Sequence, residues 1–316
     1  MHARQARNNL PMTNFRQAFA ILSLALADLH VVDPAAAEMG DLKHPDWHPE
    51  GKHLLAEGSC AGSIDLYLID LQSGSVRLVW EGEFTEGYPR WFPDGKRIAF
   101  HRIDDARESH LYLAELSLSG EISDVHRISP GPFDIEPSPS PDGTQLVYSQ
   151  QGDKGLDIAL FDLGRGEVGR VWKTEVAENF PSWYPDGASI TFYARNGTDT
   201  QIYSFDLDSD QPDALTSGPG PNFIGDLSPD GALLAYSSER TGDREIYLRD
   251  LASGEEQQMT DRAGRDAYVK FSPDGKQLAY HSGIESGPDS YVVIRLLDIE
   301  SGETSEFSCR AFFGVL

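Results

Sequence analysis

The sequence predicts an all-β protein that folds as a six-bladed β-propeller of four-stranded antiparallel blades. The first observation is a turn motif, Pro-Asp-Gly and once Pro-Glu-Gly, that recurs six times at nearly constant spacing. Its prolines are Pro49, Pro93, Pro141, Pro185, Pro229 and Pro273. They are separated by 44, 48, 44, 44 and 44 residues. The second observation is that every copy is flanked by strand-like segments in the same order. A repeat of this length with four strands is typical of a propeller blade.

Each repeat begins with a short strand, and in four copies an aromatic residue stands two positions before the proline (Trp47, Trp91, Trp183 and Phe271). The Pro-Asp-Gly turn follows, because proline fixes φ, aspartate bonds its own backbone and glycine takes a positive φ. A second strand, a polar loop, a third strand of period two, a tight turn and a polar fourth strand complete the unit. The blades are predicted to begin near residues 41, 85, 133, 177, 221 and 265.

We predict that residues 1–37 are an export signal and that residues 38–316 form the propeller. A basic start precedes a ten-residue apolar stretch, residues 18–27, which is too short to span a bilayer. Small-residue patterns predict cleavage after Ala27 or after Ala37, and the alternative is a plain N-terminal helix or arm. We therefore expect a periplasmic or secreted protein with no membrane insertion after signal cleavage.

The charge of the chain excludes some classes of partner. There are 51 acidic and 26 basic residues, and the net charge is −25. Such a protein repels nucleic acid and anionic membrane surfaces. An acidic surface also serves solubility alone, so the charge does not identify a partner.

The repeat resembles the TolB-like β-propeller family, whose units have the pattern Pro-x-Trp-Ser-Pro-Asp-Gly, then Ile-Ala-Phe, Ile-Tyr and Leu-Thr. The best matches are residues 181–187 (PSWYPDG), 271–275 (FSPDG) and 245–247 (EIY). The resemblance covers residues 41–309 and also extends to the propeller of prolyl-oligopeptidase-type enzymes. It implies the scaffold without the N-terminal domain of TolB itself and without a C-terminal hydrolase domain. Because TolB-like proteins bind other envelope proteins, it also implies an envelope protein or peptide as partner.

Superposing the six repeats predicts a ring of acidic residues at one mouth of the axial channel. Seven positions before each proline stand Leu42, Glu86, Asp134, Glu178, Asn222 and Asp266. The inner strand of each blade lines the channel, so equivalent positions are expected to form a ring. Carboxylates there would attract a cation or a cationic segment. The alternative is that they are ordinary polar positions of an acidic protein.

Two further sets of equivalent positions are candidates for the channel. Five positions before the prolines stand His44, Tyr88, Glu136, Phe180 and Tyr268, a mixture that suits the end of a sugar or a peptide. Whether these side chains converge on a pocket or lie buried between blades decides their role. Three positions before the prolines stand Asp46, Arg90, Ser138, Ser182, Asp226 and Lys270, which predict a salt-linked lining of the tunnel.

The sequence contains no recognised catalytic motif, and we expect no enzyme activity and no cofactor. Cys60 lies in Gly-Ser-Cys-Ala-Gly, but that motif needs a strand running into a helix, and here it lies between two hairpin strands. His44, Asp46 and His48 are weak candidates for metal ligands, because ligands at every second residue of one strand do not converge easily on one ion.

The two cysteines are candidates for a disulfide in an exported protein. Cys60 lies in the loop between strands two and three of blade 1, and Cys309 ends the fourth strand of blade 6. In an up-and-down blade these positions lie on the same face, and blades 1 and 6 are neighbours once the ring closes. A Cys60–Cys309 bond would staple the closure, and the alternative is two free thiols.

Three hypotheses of function follow. The first is an exported scaffold, expected to be a monomer, that binds a protein or peptide of the cell envelope through the channel mouth. The second is a small-ligand receptor, for a sugar or a peptide, or a propeller enzyme acting at the same mouth. The third is a structural module of a larger assembly.

Overall fold

A computed structural model describes residues 40–172, 177–196, 199–209, 211–284 and 291–314. The predicted export signal lies outside these described residues. The described chain forms six four-stranded antiparallel sheets, each built from four consecutive strands, so the predicted six-bladed propeller is confirmed.

The blades follow one another along the chain. Blade 1 contains β1 (Leu42–Trp47), β2 (His53–Gly58), β3 (Asp65–Asp70) and β4 (Val76–Trp80). Blade 2 contains β5 (Thr85–Trp91), β6 (Arg97–Ile103), β7 (Ser109–Leu116) and β8 (Ile122–Arg127). Blade 3 contains β9 (Asp134–Pro139), β10 (Gln145–Gln151), β11 (Leu156–Asp162) and β12 (Glu167–Trp172).

The second half repeats this order. Blade 4 contains β13 (Ala177–Trp183), β14 (Ser189–Asn196), β15 (Asp199–Asp206) and β16 (Asp213–Ala214). Blade 5 contains β17 (Asn222–Leu227), β18 (Leu233–Ser238), β19 (Glu245–Asp250) and β20 (Glu256–Gln258). Blade 6 contains β21 (Arg265–Phe271), β22 (Gln277–Ile284), β23 (Tyr291–Asp298) and β24 (Thr304–Phe307), and the short helix α1 (Cys309–Phe312) follows.

The core lies between neighbouring blades. The two middle strands of a blade are buried almost throughout, as in β2 and β3, because both faces of the sheet pack against other blades. Trp91 and Phe100 of blade 2, for example, pack with Leu55 and Leu68 of blade 1. The outer strand β8 is largely exposed. This layout explains why the middle strands read as apolar runs and the fourth strands as polar ones.

The Pro-Asp-Gly turns join the first and second strands at one end of the propeller, as predicted. Their glycines have φ of +64° to +72°, a region that favours glycine over other residues. The aspartate side chain closes the turn: Asp94 Oδ1 accepts the backbone N–H groups of Lys96 and Arg97 at 2.9 Å each. We call this end the Pro-Asp-Gly face.

Among the described strands, none is shared between blades 1 and 6, where the ring closes. Val292 of β23 donates its backbone N–H to Asp41 Oδ1 at 2.9 Å. Cys60 and Cys309 form a disulfide with their Cα atoms 5.2 Å apart, and 249 residues separate them in sequence. Phe312 of α1 contacts Tyr67 of β3 edge to face. No helix in the described part of the chain is long and apolar enough to span a membrane.

Candidate functional site

Each inner strand carries a residue in the left-handed region of φ, five positions before its proline. These residues are His44, Tyr88, Glu136, Phe180, Ile224 and Tyr268, with φ between 38° and 59°. The strand pairing shifts register at the same place, as between Lys43 and Asp46 in blade 1. A non-glycine residue in this region costs on the order of 1–3 kcal/mol. Its repetition in all six blades identifies a bulge that belongs to the blade and turns one side chain towards the axis.

The bulge side chains of four blades meet on the axis. His44 stacks on Tyr88 with ring centroids 4.0 Å apart, and Tyr268 lies edge-on to His44 at 3.9 Å. The hydroxyl groups of Tyr88 and Tyr268 lie 3.2 Å apart. Phe180 is 5.3 Å from both tyrosine rings. These side chains converge on the axis, where they pack against one another inside the channel. We call them the axial cluster.

A second layer of side chains surrounds the axial cluster from the second strands. Glu57 Oε1 lies 2.8 Å from His44 Nδ1, and Glu57 Oε2 accepts the backbone N–H of Tyr88 at 2.8 Å. Burial alone would raise the pKa of Glu57, but the charge and hydrogen bond of His44 and the bond from Tyr88 lower this pKa to about 2. Burial lowers the pKa of the neighbouring His101 to about 4.

Glu136 of blade 3 is a contrasting carboxylate. Its Oε2 atom accepts the hydroxyl of Ser149 at 2.7 Å and the backbone N–H of Phe180 at 2.8 Å. Burial raises its pKa to about 7, although both hydrogen bonds and the charge of Arg90 act in the other direction. A small cavity of about 10 Å³ beside it is lined by Glu136, Arg90 and Lys270 among others. That volume holds about one water molecule, not a substrate.

Charged side chains line the channel nearer the Pro-Asp-Gly face. Asp226 Oδ1 pairs with Lys270 Nζ at 2.8 Å, and Asp46 Oδ1 lies 3.8 Å from Arg90 Nη1. The carboxylates also accept backbone N–H groups of the next inner strand, and Asp46 Oδ2 binds that of Trp91 at 2.7 Å. The salt-linked lining predicted for this level of the channel is therefore present on blades 1, 2, 5 and 6.

The positions seven before the prolines do not ring an open mouth. Each of them is at most 2% exposed: Leu42, Glu86, Asp134, Glu178, Asn222 and Asp266. Asn222 of blade 5 donates to Gln201 Oε1 of blade 4 at 2.8 Å. This burial does not fit the acidic mouth expected from the sequence. The reason is that these side chains point at a neighbouring blade, as Asn222 does, whereas the side chains at the bulge and those three positions before the prolines face the channel.

The three weak metal candidates diverge. His44 belongs to the axial cluster, and Asp46 bonds to the backbone of blade 2. His48 Nε2 lies 3.1 Å from the carbonyl oxygen of Gly95, and its ring packs on Trp91. The bulge in β1 points the side chains of His44, Asp46 and His48 in different directions, so these three residues do not form a metal site.

A depression of about 230 Å³ opens on the Pro-Asp-Gly face near the axis. Its walls include Trp91 of blade 2, Trp183 of blade 4 and the segment Ser138–Ser140 of blade 3. Blade 3 departs from the other blades there, since proline and serine stand where its neighbours carry tryptophan, phenylalanine or tyrosine. The smaller side chains of blade 3 create the space.

An acidic groove of about 300 Å³ continues from this depression between blades 3 and 4. Both spaces share Ser140 and Pro141, and the groove adds Asp142 and Asp186. A hydrogen bond from the Ser140 hydroxyl, at 2.6 Å, lowers the pKa of Asp142 and keeps it ionised. In blades 3, 4 and 5 the turn motif is not followed by lysine, unlike blades 1, 2 and 6. We call the depression and the groove together the blade 3–4 surface.

Sequence reasoning missed this surface. The acidic residues of the turns are all exposed at the Pro-Asp-Gly face: Glu50, Asp94, Asp142, Asp186, Asp230 and Asp274. From the sequence alone, they are turn formers. The available signal was the break in the pattern at Pro139, together with the missing lysine after the turns of blades 3 to 5.

Comparison with known proteins places the chain among TolB-type propellers. The family described as TolB beta propeller domain matches residues 89–225 and 181–310. An uncharacterized protein of Agrobacterium fabrum (strain C58) is 29% identical over 149 residues, which are 43% of this chain and 49% of that protein. The match thus spans about half the length of this curated relative.

Solved structures share the architecture. A protein from Agrobacterium tumefaciens, provisionally identified as TolB, superposes with a TM-score of 0.66 at 26% identity, covering 76% of this chain and 86% of that one. TolB from Acinetobacter baumannii gives 0.64 at 20% identity, covering 86% and 64%. The tricorn protease gives 0.64 at 18% identity, covering 85% of this chain and 26% of the enzyme. At such low identity the likeness to the last two shows the fold alone, and it assigns no catalytic activity to this chain.

Proposed function

This chain belongs to the TolB beta-propeller domain family, and on that premise we propose that it binds a partner polypeptide through the blade 3–4 surface. The observation that carries the proposal is the depression between Trp91 and Trp183, which continues into the groove of Asp142 and Asp186. The first part takes an apolar side chain, and the second favours a lysine or arginine close to it in the partner.

The dimensions favour a polypeptide over a small molecule. Sites for small molecules are usually enclosed and hold about 300–1,000 Å³. Here the space is divided between a depression of about 230 Å³ and a groove of about 300 Å³, joined side by side at the surface. An extended segment with an anchor residue and a neighbouring cation fills such a shape. The cavity beside Glu136 and Phe180 measures about 10 Å³, which is too small for a sugar or the end of a peptide.

Charge complementarity supports the same choice of partner. Asp142 and Asp186 are exposed, and no lysine follows the turn in either blade. A basic segment would be steered to this side of the Pro-Asp-Gly face and held in register there. The net charge of −25 would at the same time disfavour acidic segments.

The proposal is tested by selecting a display library of random 12-residue peptides on the full chain. Peptides that pair an aromatic or aliphatic residue with lysine or arginine should be enriched. A selected peptide should bind about ten-fold more weakly to Pro139→Trp, which fills the depression, and to Asp142→Asn/Asp186→Asn. The matched control is Asp274→Asn in the turn of blade 6, which should bind as the unmodified protein does. Equal binding to all of these variants, or no enrichment of the motif, would overturn the proposal.

We also propose that the chain acts outside the cytoplasm. The support is the disulfide between Cys60 and Cys309, because such bonds form and persist in oxidising compartments. Fractionation of expressing cells, with the mass of the mature protein, tests this. In the envelope or medium we expect a protein whose mass corresponds to a chain beginning at Asp28 or Glu38. Full-length protein in the cytosol would contradict the proposal.

A further inference from the structure

The loop between β6 and β7 of blade 2 brings three metal-ligating side chains together. Asp104, Glu108 and His110 each offer one ligand atom, and these atoms lie within 4.8 Å of one another. Within the described ranges, no other group of three histidine, cysteine, aspartate or glutamate side chains meets this distance. The loop lies at the end of blade 2 opposite its Pro-Asp-Gly turn, so it is distinct from the blade 3–4 surface.

The histidine is buried and held in one orientation. His110 is 5% exposed, and its Nδ1 atom lies 2.7 Å from the carbonyl oxygen of Gly131. A carbonyl oxygen only accepts, so Nδ1 carries a hydrogen, and Nε2 is the ring nitrogen left to bind an ion. That atom points into the cluster, 3.5 Å from Glu108 Oε2. Histidines that bind metals are oriented in this way by a second bond from the other ring nitrogen.

The carboxylates complete a set of acceptors. Asp104 Oδ1 accepts the backbone N–H groups of Ala106 at 2.9 Å and Glu108 at 3.0 Å, which holds the carboxyl group and leaves its other oxygen for an ion. Glu108 is the most exposed of the three, so it is free to approach an ion from the solvent side. The three ligand atoms lie within 4.8 Å of one another, close enough to share one cation.

We propose that Asp104, Glu108 and His110 bind a divalent transition-metal ion of the zinc class. One imidazole nitrogen and two carboxylate oxygens are ligands that zinc accepts, and a water molecule completes a tetrahedral set. Because His110 also bonds Gly131, the ion would connect the β6–β7 loop to the segment that leads from β8 into β9. Bound metal would then stabilise the junction of blades 2 and 3.

The test is calorimetric titration of the full chain with zinc after removal of any affinity tag. One ion per chain is expected to bind with a rise in melting temperature, since a ligand that binds only the folded state stabilises it. Cobalt in place of zinc should give visible absorption bands of a tetrahedral site. Asp104→Asn, which keeps the turn bonds, and the exposed Glu108→Gln should each weaken zinc binding by about ten-fold or more. His110→Gln should abolish it.

The matched control is His126→Gln on the exposed strand β8. His126 Nδ1 lies 3.7 Å from Asp124 Oδ1 without a third ligand, so zinc binding should not change. Unchanged zinc affinity in Asp104→Asn and Glu108→Gln, or no binding to the unmodified protein, would overturn the proposal. These two variants keep the test valid even if His110→Gln fails to fold. Peptide binding at the blade 3–4 surface is measured separately, so the two proposals fail independently.

Discussion

Phe180 of blade 4 donates its backbone N–H to Glu136 Oε2 of blade 3 at 2.8 Å, so a carboxylate of one blade satisfies the bulge of the next. Tyr88 bonds Glu57 in the same way between blades 2 and 1, also at 2.8 Å. Glu57 has His44 beside it and its pKa is lowered, whereas Glu136 is buried without such a partner and its pKa is raised. The same structural role therefore depends on pH in opposite directions.

We predict that Glu136 makes the protein less stable as the pH rises from about 4.5 to 7. Its pKa is raised from 4.5 to about 7 on folding, so the unfolded chain loses this proton before the folded protein does. The contribution of Glu136 to the free energy of unfolding is full below pH 4.5 and lost above pH 7. Its upper limit is about 3 kcal/mol. Glu136→Gln keeps both acceptor bonds without ionising. Urea unfolding at pH 5 and pH 8 should show a smaller decrease in the variant, and equal decreases would contradict the prediction.

The pair of Asp226 and Lys270 should show strong coupling. Both side chains are about 14% exposed or less, and they lie 2.8 Å apart. Asp226→Asn leaves a buried ammonium group without its counter-ion and should lower the free energy of unfolding by about 2–3 kcal/mol. Lys270→Met in the same protein should recover part of this loss. A double-mutant cycle measures the coupling, and strictly additive effects would show that the pair does not interact.

Three tryptophans at equivalent positions should tolerate phenylalanine differently. Trp47 Nε1 donates to the carbonyl oxygen of Lys270 at 3.2 Å, and Trp183 Nε1 donates to that of Ser138 at 3.0 Å. Trp91 Nε1 is buried with no hydrogen-bond partner among the described residues. Trp91→Phe should therefore cost about 1 kcal/mol less than Trp183→Phe, which leaves a carbonyl group unsatisfied. Chemical unfolding of the variants gives the comparison, and a larger loss for Trp91→Phe would refute it.

The disulfide should stabilise the closure of the ring. It connects residues 249 apart and spans the junction of blades 1 and 6. Cys60→Ser/Cys309→Ser should lower the free energy of unfolding by up to about 5 kcal/mol, the size expected from chain entropy for so long a loop. Dithiothreitol should destabilise the unmodified protein and leave the variant unchanged. Identical urea midpoints for the two proteins would contradict a stabilising role.

Much of the fold could be predicted from the chain alone, because its determinants are local. The turn at Pro49 and its five equivalents depends on residues that are adjacent in sequence, and their spacing repeats the same four strands. The position of Cys60 and Cys309 on neighbouring blades also followed from that count. The middle strands are buried between blades and are therefore apolar in sequence. This pattern allowed them to be recognised as strands without a structure.

Only the tertiary structure decided which side chains meet. The bulge at His44 and its equivalents turns one residue per blade towards the axis, while Glu86 and its equivalents are buried, and Asn222, for example, contacts Gln201 of the preceding blade. A strand pattern of period two cannot distinguish these directions, since the bulge is defined by pairing with another strand. The depression at Pro139 likewise exists only because the tryptophans of blades 2 and 4 stand around the smaller side chains of blade 3.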